Sequence, residues 1–280
     1  MTDPTRTCAI TGSSAGIGKA VAIEIAKMGW QVIMLVRESE KARMAFEEVR
    51  ASSEDGEIQI FIVDLSSRDS IIHAVDQMKS DGIRIDVLVN NAGVVKRSYE
   101  TSTDGHEMTL AVNHLGPFLL TNLLLPLMND GPDSRIVNVT SEHYRKGRID
   151  HDRITREPFK GTRAYADSKL AMILFTRELS RRLHTRNITV NSMHPGIAGT
   201  DVFREYPQFI ARMINLLVPG PASAARSVVH LVTSPELENV TGAYFTKSDR
   251  KQVISTAEDD ELARIVWDLS EKMTGLTELL

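Results

Sequence analysis

A single cysteine, Cys8, stands in a chain of 280 residues, so no disulfide can form within it. A lone thiol fits a reducing compartment such as the cytoplasm. The 33 basic and 37 acidic residues nearly cancel to a formal charge of −4, which gives no reason to expect nucleic acid or an anionic membrane as a partner. The eight histidines accompany neither a cysteine cluster nor a His-Glu-x-x-His pattern, so the sequence predicts no metal site.

Long hydrophobic runs are missing as well. The most apolar stretch, Pro117–Met128, is interrupted by Thr121 and Asn122 and is too short to span a bilayer. The opening residues MTDPTR do not form the basic-then-apolar region of a signal peptide. We therefore expect a cytoplasmic protein without a membrane anchor.

Short apolar runs alternate with longer helical patterns, with no linker, repeat or low-complexity tract between them. This alternation is typical of a parallel sheet covered by helices on both faces. We predict one doubly wound (Rossmann) α/β domain over residues 1–280, with seven parallel strands whose carboxyl ends form the ligand site. The predicted strands are Thr7–Thr11, Gln31–Leu35, Ile58–Val63, Asp86–Asn90, Arg135–Thr140, Thr189–Met193 and Ala243–Thr246, and a final helix is predicted around 258–272.

A glycine-rich loop reading TGSSAGIG connects the first predicted strand to the first predicted helix. Glycines allow a tight turn and a close approach to a pyrophosphate, and the helix N-terminus offers free N–H groups. The spacing from Gly12 to Gly16 is wider than in GxGxxG, so an ordinary turn is the alternative. The predicted cofactor contacts in this loop are Gly12, Ser14, Ala15, Gly16, Ile17 and Gly18.

Arg37 follows the second strand, where an acidic residue usually binds the ribose 2′-hydroxyl of NAD. A guanidinium there favours a 2′-phosphate, which predicts NADP(H) over NAD(H). An ordinary surface arginine is the alternative. Asp64 could be a cofactor contact or equally a helix cap. The cofactor contacts predicted after the third and fourth strands are Asp64, Leu65, Asn91, Ala92 and Gly93.

Tyr165 and Lys169 stand one turn apart on the same face of a predicted helix. A free tyrosine is a poor acid or base near neutral pH because its pKa is about 10, and a nearby lysine charge lowers that pKa. Ser141 ends the fifth strand, where its hydroxyl could hold a substrate carbonyl oxygen. Asn113 lies within a predicted helix, where an amide has little structural reason to be. Ser141 and Asn113 could also be merely structural polar groups.

Taken in order, the motifs TGxxxGIG, NNAG, Asn113, Ser141, YxxxK and PG resemble the short-chain dehydrogenase/reductase family over roughly residues 6–250. The resemblance implies that Tyr165 exchanges a proton with the substrate oxygen while hydride passes between nicotinamide and the substrate carbon. It implies that Ser141 polarises this oxygen, that Lys169 binds the nicotinamide ribose and tunes Tyr165, and that Asn113 anchors a water leading to Lys169. The cofactor contacts that it adds are Tyr165, Lys169, Pro195, Gly196, Ile197 and Thr200.

Two helical stretches, 165–183 and 259–276, are similar to those of retinol dehydrogenase-like reductases, which mostly prefer NADP(H). Between them, apolar residues recur at helical spacing and predict a lid around 197–220, although they could equally pack on the core. An apolar lid would suit a small hydrophobic alcohol, aldehyde or ketone. The residues of this stripe are Phe203, Tyr206, Ile210, Met213, Ile214 and Leu217.

We therefore expect an NADP(H)-dependent oxidoreductase of hydrophobic carbonyl or alcohol substrates. A tailoring ketoreductase or dehydrogenase of secondary metabolism shares every motif and is the alternative enzyme. A non-catalytic dinucleotide sensor is the alternative from another class, and such proteins typically lose Tyr165, Lys169 or the loop glycines. The charged segment 142–163 either lines the substrate entrance or is a solvated insertion, and we favour the insertion.

Assembly is a further expectation from the resemblance, because relatives commonly form homodimers or homotetramers through the helices that carry Asn113 and Tyr165. Apolar side chains of those two helices could supply such a surface or serve only the core. They are Leu119, Leu120, Leu123, Leu124, Leu127, Ile173 and Leu174.

Overall fold

The computed structural model describes residues 6–54, 56–152, 154, 158–196 and 220–278. Its strands are β1 (Thr7–Thr11), β2 (Gln31–Val36), β3 (Ile58–Ile62), β4 (Val87–Asn90), β5 (Ser134–Val139), β6 (Ile188–His194), β7 (Tyr244–Thr246) and β8 (Asp249–Lys251). Its α-helices are α1 (Gly16–Lys27), α2 (Glu40–Ser52), α3 (Arg68–Ser80), α4 (Met108–Leu110), α5 (Gly116–Leu124), α6 (Gly161–Arg182), α7 (Pro221–Thr233), α8 (Ser255–Glu258) and α9 (Asp260–Thr274).

The strands form one sheet in the order β3-β2-β1-β4-β5-β6-β7-β8. The first seven run parallel, which confirms the predicted doubly wound α/β fold. The strand order reverses at β1, which lies between β2 and β4. In such sheets the usual ligand position lies at this reversal, here the carboxyl ends of β1 and β4.

The eighth strand, β8, corrects the predicted number of seven. It pairs antiparallel with β7 and forms the edge of the sheet. Its sequence, Asp249-Arg250-Lys251, is exposed and has no apolar residue, so it lacks the pattern by which the other strands were predicted. Charged side chains on an edge strand oppose pairing with another chain.

The strands are buried on both faces because successive side chains point to opposite sides of the sheet. In β1, Cys8 and Ile10 pack with α1, α2 and α7, whereas Ala9 packs with α3, α5 and α6. The nearly continuous apolar strands are therefore explained by two separate cores, one on each side of the sheet.

A helical stretch of 20 residues, Met108–Leu127, consists of α4, a π-helical turn over Ala111–Leu115, α5 and a final 3₁₀ turn. By length and composition alone it could cross a membrane, but 83% of its most apolar window is buried inside the fold. It is the one such helix among the residues described here. Core helices of soluble proteins often have these properties, so the stretch gives no argument for or against a membrane anchor.

Helix α9 covers the outer side of α5 and α6. Trp267 packs edge-on against Phe118, with ring centroids 4.9 Å apart, and lies 5.9 Å from the ring of Phe175. The Ser270 hydroxyl is 2.7 Å from His114 Nε2, inside the same interface. Burial lowers the pKa of His114 to about 3, so this histidine is neutral.

The apolar side chains considered for a subunit interface are buried within this chain. None of the seven is more than 9% exposed. This burial favours the core alternative for Leu119, Leu120, Leu123, Leu124, Leu127, Ile173 and Leu174.

Candidate active site

The glycine-rich loop turns sharply between β1 and α1. Gly12 has φ of +67° and Gly16 has φ of +55°, a left-handed backbone that favours glycine. Gly18 is needed for a different reason, because a Cβ there would lie 2.4 Å from Asn91 Nδ2 and 2.6 Å from the Gly12 carbonyl oxygen. The loop therefore closes tightly against the end of β4.

The end of β4 is held to the end of β1 by Thr11. Its Oγ1 accepts hydrogen bonds from the backbone N–H groups of Asn91 (2.9 Å) and Ala92 (3.0 Å). In return, Asn91 Nδ2 donates to the Thr11 carbonyl oxygen at 2.9 Å. The Asn91 amide thus has a structural role. The role of Thr11 was not predicted from the sequence.

The loop residues fit a dinucleotide. Helix α1 begins after Ala15 with no side-chain cap and no acidic residue in its first turn, so its N-terminal N–H groups and positive dipole end suit a pyrophosphate. Ser14, Ile17 and Gly16 line this turn and are partly exposed. A nicotinamide dinucleotide would be held here.

Arg37 follows β2 directly and is exposed at the carboxyl edge of the sheet. The carboxylate of the neighbouring Glu38 forms an ion pair with the Arg43 guanidinium, at 3.6 Å, and not with Arg37. Asp64, after β3, accepts hydrogen bonds from the N–H (2.9 Å) and the hydroxyl (2.7 Å) of Ser66, within a local turn. The predicted helix-cap alternative is wrong, because the N-cap of α3 is Ser67. Leu65 is buried beside it.

Tyr165 and Lys169 lie in the first half of α6. The Lys169 ammonium is 5.7 Å from the centre of the Tyr165 ring and donates a hydrogen bond to the Val139 carbonyl oxygen at 3.1 Å. Val139 ends β5, two residues before Ser141, whose hydroxyl lowers the pKa of Tyr165 in part. Phenol, hydroxyl and ammonium therefore meet at the carboxyl end of β5.

Burial controls the protonation of the two titrating groups. It raises the pKa of Tyr165, although the hydrogen bond from Ser141 lowers it in part. This direction differs from the expectation that the tyrosine pKa is lowered, because desolvation of the phenolate outweighs the hydrogen bond from Ser141. Burial also lowers the pKa of Lys169 to about 8.

Asn113 lies in the π-helical turn, a distortion that often occurs at functional sites. Its side chain accepts a hydrogen bond from the Val94 N–H (2.8 Å) and donates to the Val94 carbonyl oxygen (2.9 Å) and to Ser168 Oγ (3.1 Å). A Cβ on Gly93 would lie 3.4 Å from Asn113 Oδ1 and 3.5 Å from Lys169 Nζ. Asn113 thus fixes the loop after β4 to α6, next to Lys169.

The end of β6 carries the last predicted group. Pro195 and Gly196 follow His194, and burial lowers the pKa of that histidine. Gly196 has φ of +92°, and a Cβ there would lie 3.4 Å from the side chain of Lys247. Ile197, Thr200 and the whole apolar stripe of the predicted lid lie outside the described residues.

The charged segment after Ser141 is anchored by buried apolar side chains. Tyr144 and Ile154 are almost fully buried, whereas Arg145 is exposed and contacts Glu142 at 2.6 Å. The exposed charges agree with a solvated insertion. Arg153 and Arg156 lie outside the described residues.

One polar residue of the site was missed by the sequence analysis. His143 Nδ1 lies 3.3 Å from Ser141 Oγ, and its ring packs edge-on against Tyr165 with centroids 5.8 Å apart. The available signal was its position two residues after Ser141, within a segment that was predicted to be solvated.

Comparison with known proteins agrees with this site. The sequence profile of the family described as short chain dehydrogenase matches residues 6–210. Retinol dehydrogenase 14 of Homo sapiens is 39% identical, with 97% of this chain and 87% of that protein aligned. Retinol dehydrogenase 13 of Homo sapiens is 38% identical, over 98% of this chain and 86% of its own length. The chain belongs to the short-chain dehydrogenase/reductase family and resembles its retinol dehydrogenase-like branch.

Solved structures agree as well. A putative uncharacterized protein from Mycobacterium Paratuberculosis has a TM-score of 0.76 and 30% identity, covering 96% of this chain and 93% of that one. A short-chain dehydrogenase/reductase from Serratia marcescens has a TM-score of 0.68 and 27% identity, covering 86% of this chain and 95% of its own. The fold and the family therefore support a nicotinamide-dependent oxidoreductase of alcohol and carbonyl groups.

Proposed function

We propose that the protein is an NADP(H)-dependent reductase of hydrophobic aldehydes or ketones. The observation that carries this proposal is the position of Lys169, 5.7 Å from the centre of the Tyr165 ring, beside Ser141 at the end of the sheet where the glycine-rich loop opens. NADPH held at the glycine-rich loop would supply a hydride for the carbonyl carbon. The remaining chemistry belongs to the side chains of this chain.

Tyr165 would donate the proton that the carbonyl oxygen takes up as the carbon is reduced. The phenol is protonated at neutral pH, as reduction requires. Burial raises its pKa and makes it a weaker acid, so proton transfer depends on stabilisation of the phenolate by Ser141 and Lys169. Ser141 would donate a second hydrogen bond to the same oxygen and stabilise the developing negative charge. Lys169, charged below about pH 8, would favour the phenolate that remains after proton transfer.

The preference for NADP(H) rests on Arg37. Its guanidinium is exposed at the end of β2, and among the described residues it forms no ion pair that would compete with a 2′-phosphate. Two charge-assisted hydrogen bonds from one guanidinium are the usual basis of phosphate recognition. The reduced cytosolic NADP pool would then favour carbonyl reduction over alcohol oxidation.

The substrate class is proposed from similarity and from the apolar stripe. The two relatives compared above are named retinol dehydrogenases, so retinal belongs among the first substrates to test. The stripe of the predicted lid would cover an apolar substrate. A tailoring ketoreductase would use the same site, and a broad carbonyl panel that includes ring ketones separates the two alternatives.

The cofactor preference is tested by Arg37→Ala. We expect the KM for NADPH to rise by about 10- to 100-fold, the effect of losing hydrogen bonds to a charged group, with little change in the KM for NADH. Steady-state oxidation of both cofactors with one apolar aldehyde measures this. Arg50→Ala, an exposed arginine at the far end of α2, is the matched control and should leave both constants unchanged. Equal efficiency of the wild-type protein with NADPH and NADH would contradict the proposal.

A cytoplasmic location is part of the proposal and rests on Cys8, which is buried and unpaired. Cell fractionation should recover the protein with soluble proteins, and recovery with membranes would contradict the location.

A further inference from the structure

The His143 side chain contacts both Ser141 and Tyr165, the two side chains proposed to donate to the substrate oxygen. Ser141 begins a 3₁₀ turn that contains Glu142, His143 and Tyr144. The turn brings the backbone N–H of His143 within 3.3 Å of Ser141 Oγ and places its ring Nδ1 at 3.3 Å from the same oxygen. Catalytic hydrogen bonds are often long before substrate binds, so both distances are compatible with function.

The ring of His143 is fixed on a second side by Tyr165. The two rings are 5.8 Å apart between centroids and inclined by 68°, an edge-to-face contact. The outer part of the imidazole is exposed. One ring therefore faces both the hydroxyl and the phenol of the site.

The preceding residue does not compete for the His143 ring. The Glu142 carboxylate accepts hydrogen bonds from Tyr244 (2.7 Å) and Thr246 (3.1 Å) on β7 and from Arg145 (2.6 Å). These bonds hold the turn against the sheet. They therefore also hold the backbone of His143 beside Ser141.

The direction of the hydrogen bond at Nδ1 decides what Ser141 can do. A hydroxyl has one proton and two lone pairs. If Nδ1 accepts, the Ser141 proton points at His143 and is not available for a hydrogen bond to the substrate oxygen. If Nδ1 carries the proton, it donates to Ser141, and together with the backbone N–H it occupies both lone pairs. The Ser141 proton can then point only toward Tyr165 or the substrate oxygen.

We propose that His143 is a positioning residue that donates from Nδ1 to Ser141 and thereby aims the Ser141 proton at the substrate oxygen. The inference rests on the proposed reductase function, because it assigns a role within the same site.

The test compares His143→Asn with His143→Leu. Asparagine places an amide nitrogen close to the position of Nδ1, and leucine has the same branching without a hydrogen bond. We expect kcat for carbonyl reduction to fall about tenfold in His143→Leu and to stay within about threefold of wild type in His143→Asn, with the dissociation constant of NADPH unchanged in both. In a Ser141→Ala background, His143→Leu should cause no further loss, because its effect passes through Ser141.

A spectroscopic readout separates this inference from the proposed function. The ring ¹⁵N signals of His143, identified by their absence in His143→Asn, should show a protonated Nδ1 and should shift in Ser141→Ala but not in the control Thr140→Val. Three results would each overturn the inference. The first is an equal kcat in His143→Asn and His143→Leu. The second is a full effect of His143→Leu in the Ser141→Ala protein, and the third is a set of His143 ring signals that does not change in Ser141→Ala. A wild-type protein without carbonyl turnover would contradict the proposed function alone, and the ring signals would still decide the role of His143.

Discussion

At the residue scale, burial moves the two titrating groups of the site in opposite directions. The pKa of Tyr165 is raised and that of Lys169 is lowered, because in both cases the charged form loses contact with water. At neutral pH the phenol is therefore a protonated donor, and the ammonium is a charge held in the interior at a cost in stability. The site thus contains a protonated phenol, and its buried Lys169 charge lowers the stability of the fold.

Lys169 gives a testable stability effect. Its folded-state pKa of about 8 lies below the ordinary 10.5, so the cost of burying the charge is fully present below about pH 8 and disappears as the pH rises to 10.5. We expect Lys169→Met to be inactive yet more stable at neutral pH by on the order of 2–3 kcal/mol, with a difference that narrows in that alkaline window. Urea unfolding of the cofactor-free proteins measures it.

The control for this measurement is Lys79→Met, which removes an exposed lysine at the end of α3. Its effect should stay within about 0.5 kcal/mol at every pH. A Lys169→Met protein that is less stable than wild type at neutral pH would show that the ammonium is stabilised in the fold rather than penalised.

At the element scale, the sequence predicts the central strands to within one or two residues, because each is a short apolar run buried on both faces. Strand β8 escapes prediction because it is charged and depends on β7 for its pairing. The π-helical turn at Asn113 also escapes, since it continues an apolar helix pattern without a break. The contact between His143 and Ser141 depends on the geometry of one turn, which residue spacing does not specify.

Helix α9 contributes stability through one large side chain. Trp267 is 4% exposed and packs against Phe118 and Phe175. We expect Trp267→Ala to lower the free energy of unfolding by about 3–5 kcal/mol, because it leaves a cavity between α9, α5 and α6. Chemical denaturation is the measurement, with Asp268→Ala on the exposed face of α9 as the control. Equal stability of Trp267→Ala and Asp268→Ala would contradict the claim that α9 stabilises the fold by packing Trp267 against α5 and α6.

At the scale of the whole molecule, side chains from distant parts of the sequence meet at one edge of the sheet. The glycine-rich loop follows β1, Arg37 follows β2, Ser141 follows β5, and α6 brings Tyr165 and Lys169 across from the side. The motifs could be recognised in the sequence because each stands at the carboxyl end of a parallel strand or on the helix beside it. Their protonation could not, because it depends on how completely the folded chain excludes water.

The outer surface of the molecule bears on assembly. The leucines of α5 and the apolar residues of α6 are used by the core, and α9 covers them. A homodimer or homotetramer, which remains a prediction from the family resemblance, would therefore have to use other side chains than the seven considered.

The central claim is that Tyr165 donates the proton in an NADPH-dependent reduction, and Tyr165→Phe tests it most directly. We predict that kcat with an apolar aldehyde falls by about 10³-fold while NADPH affinity, followed by fluorescence titration, stays within about twofold of wild type. Tyr99→Phe, the same change at an exposed tyrosine, should leave both unchanged. Substantial turnover by Tyr165→Phe would contradict the account, because the proton would then come from another group.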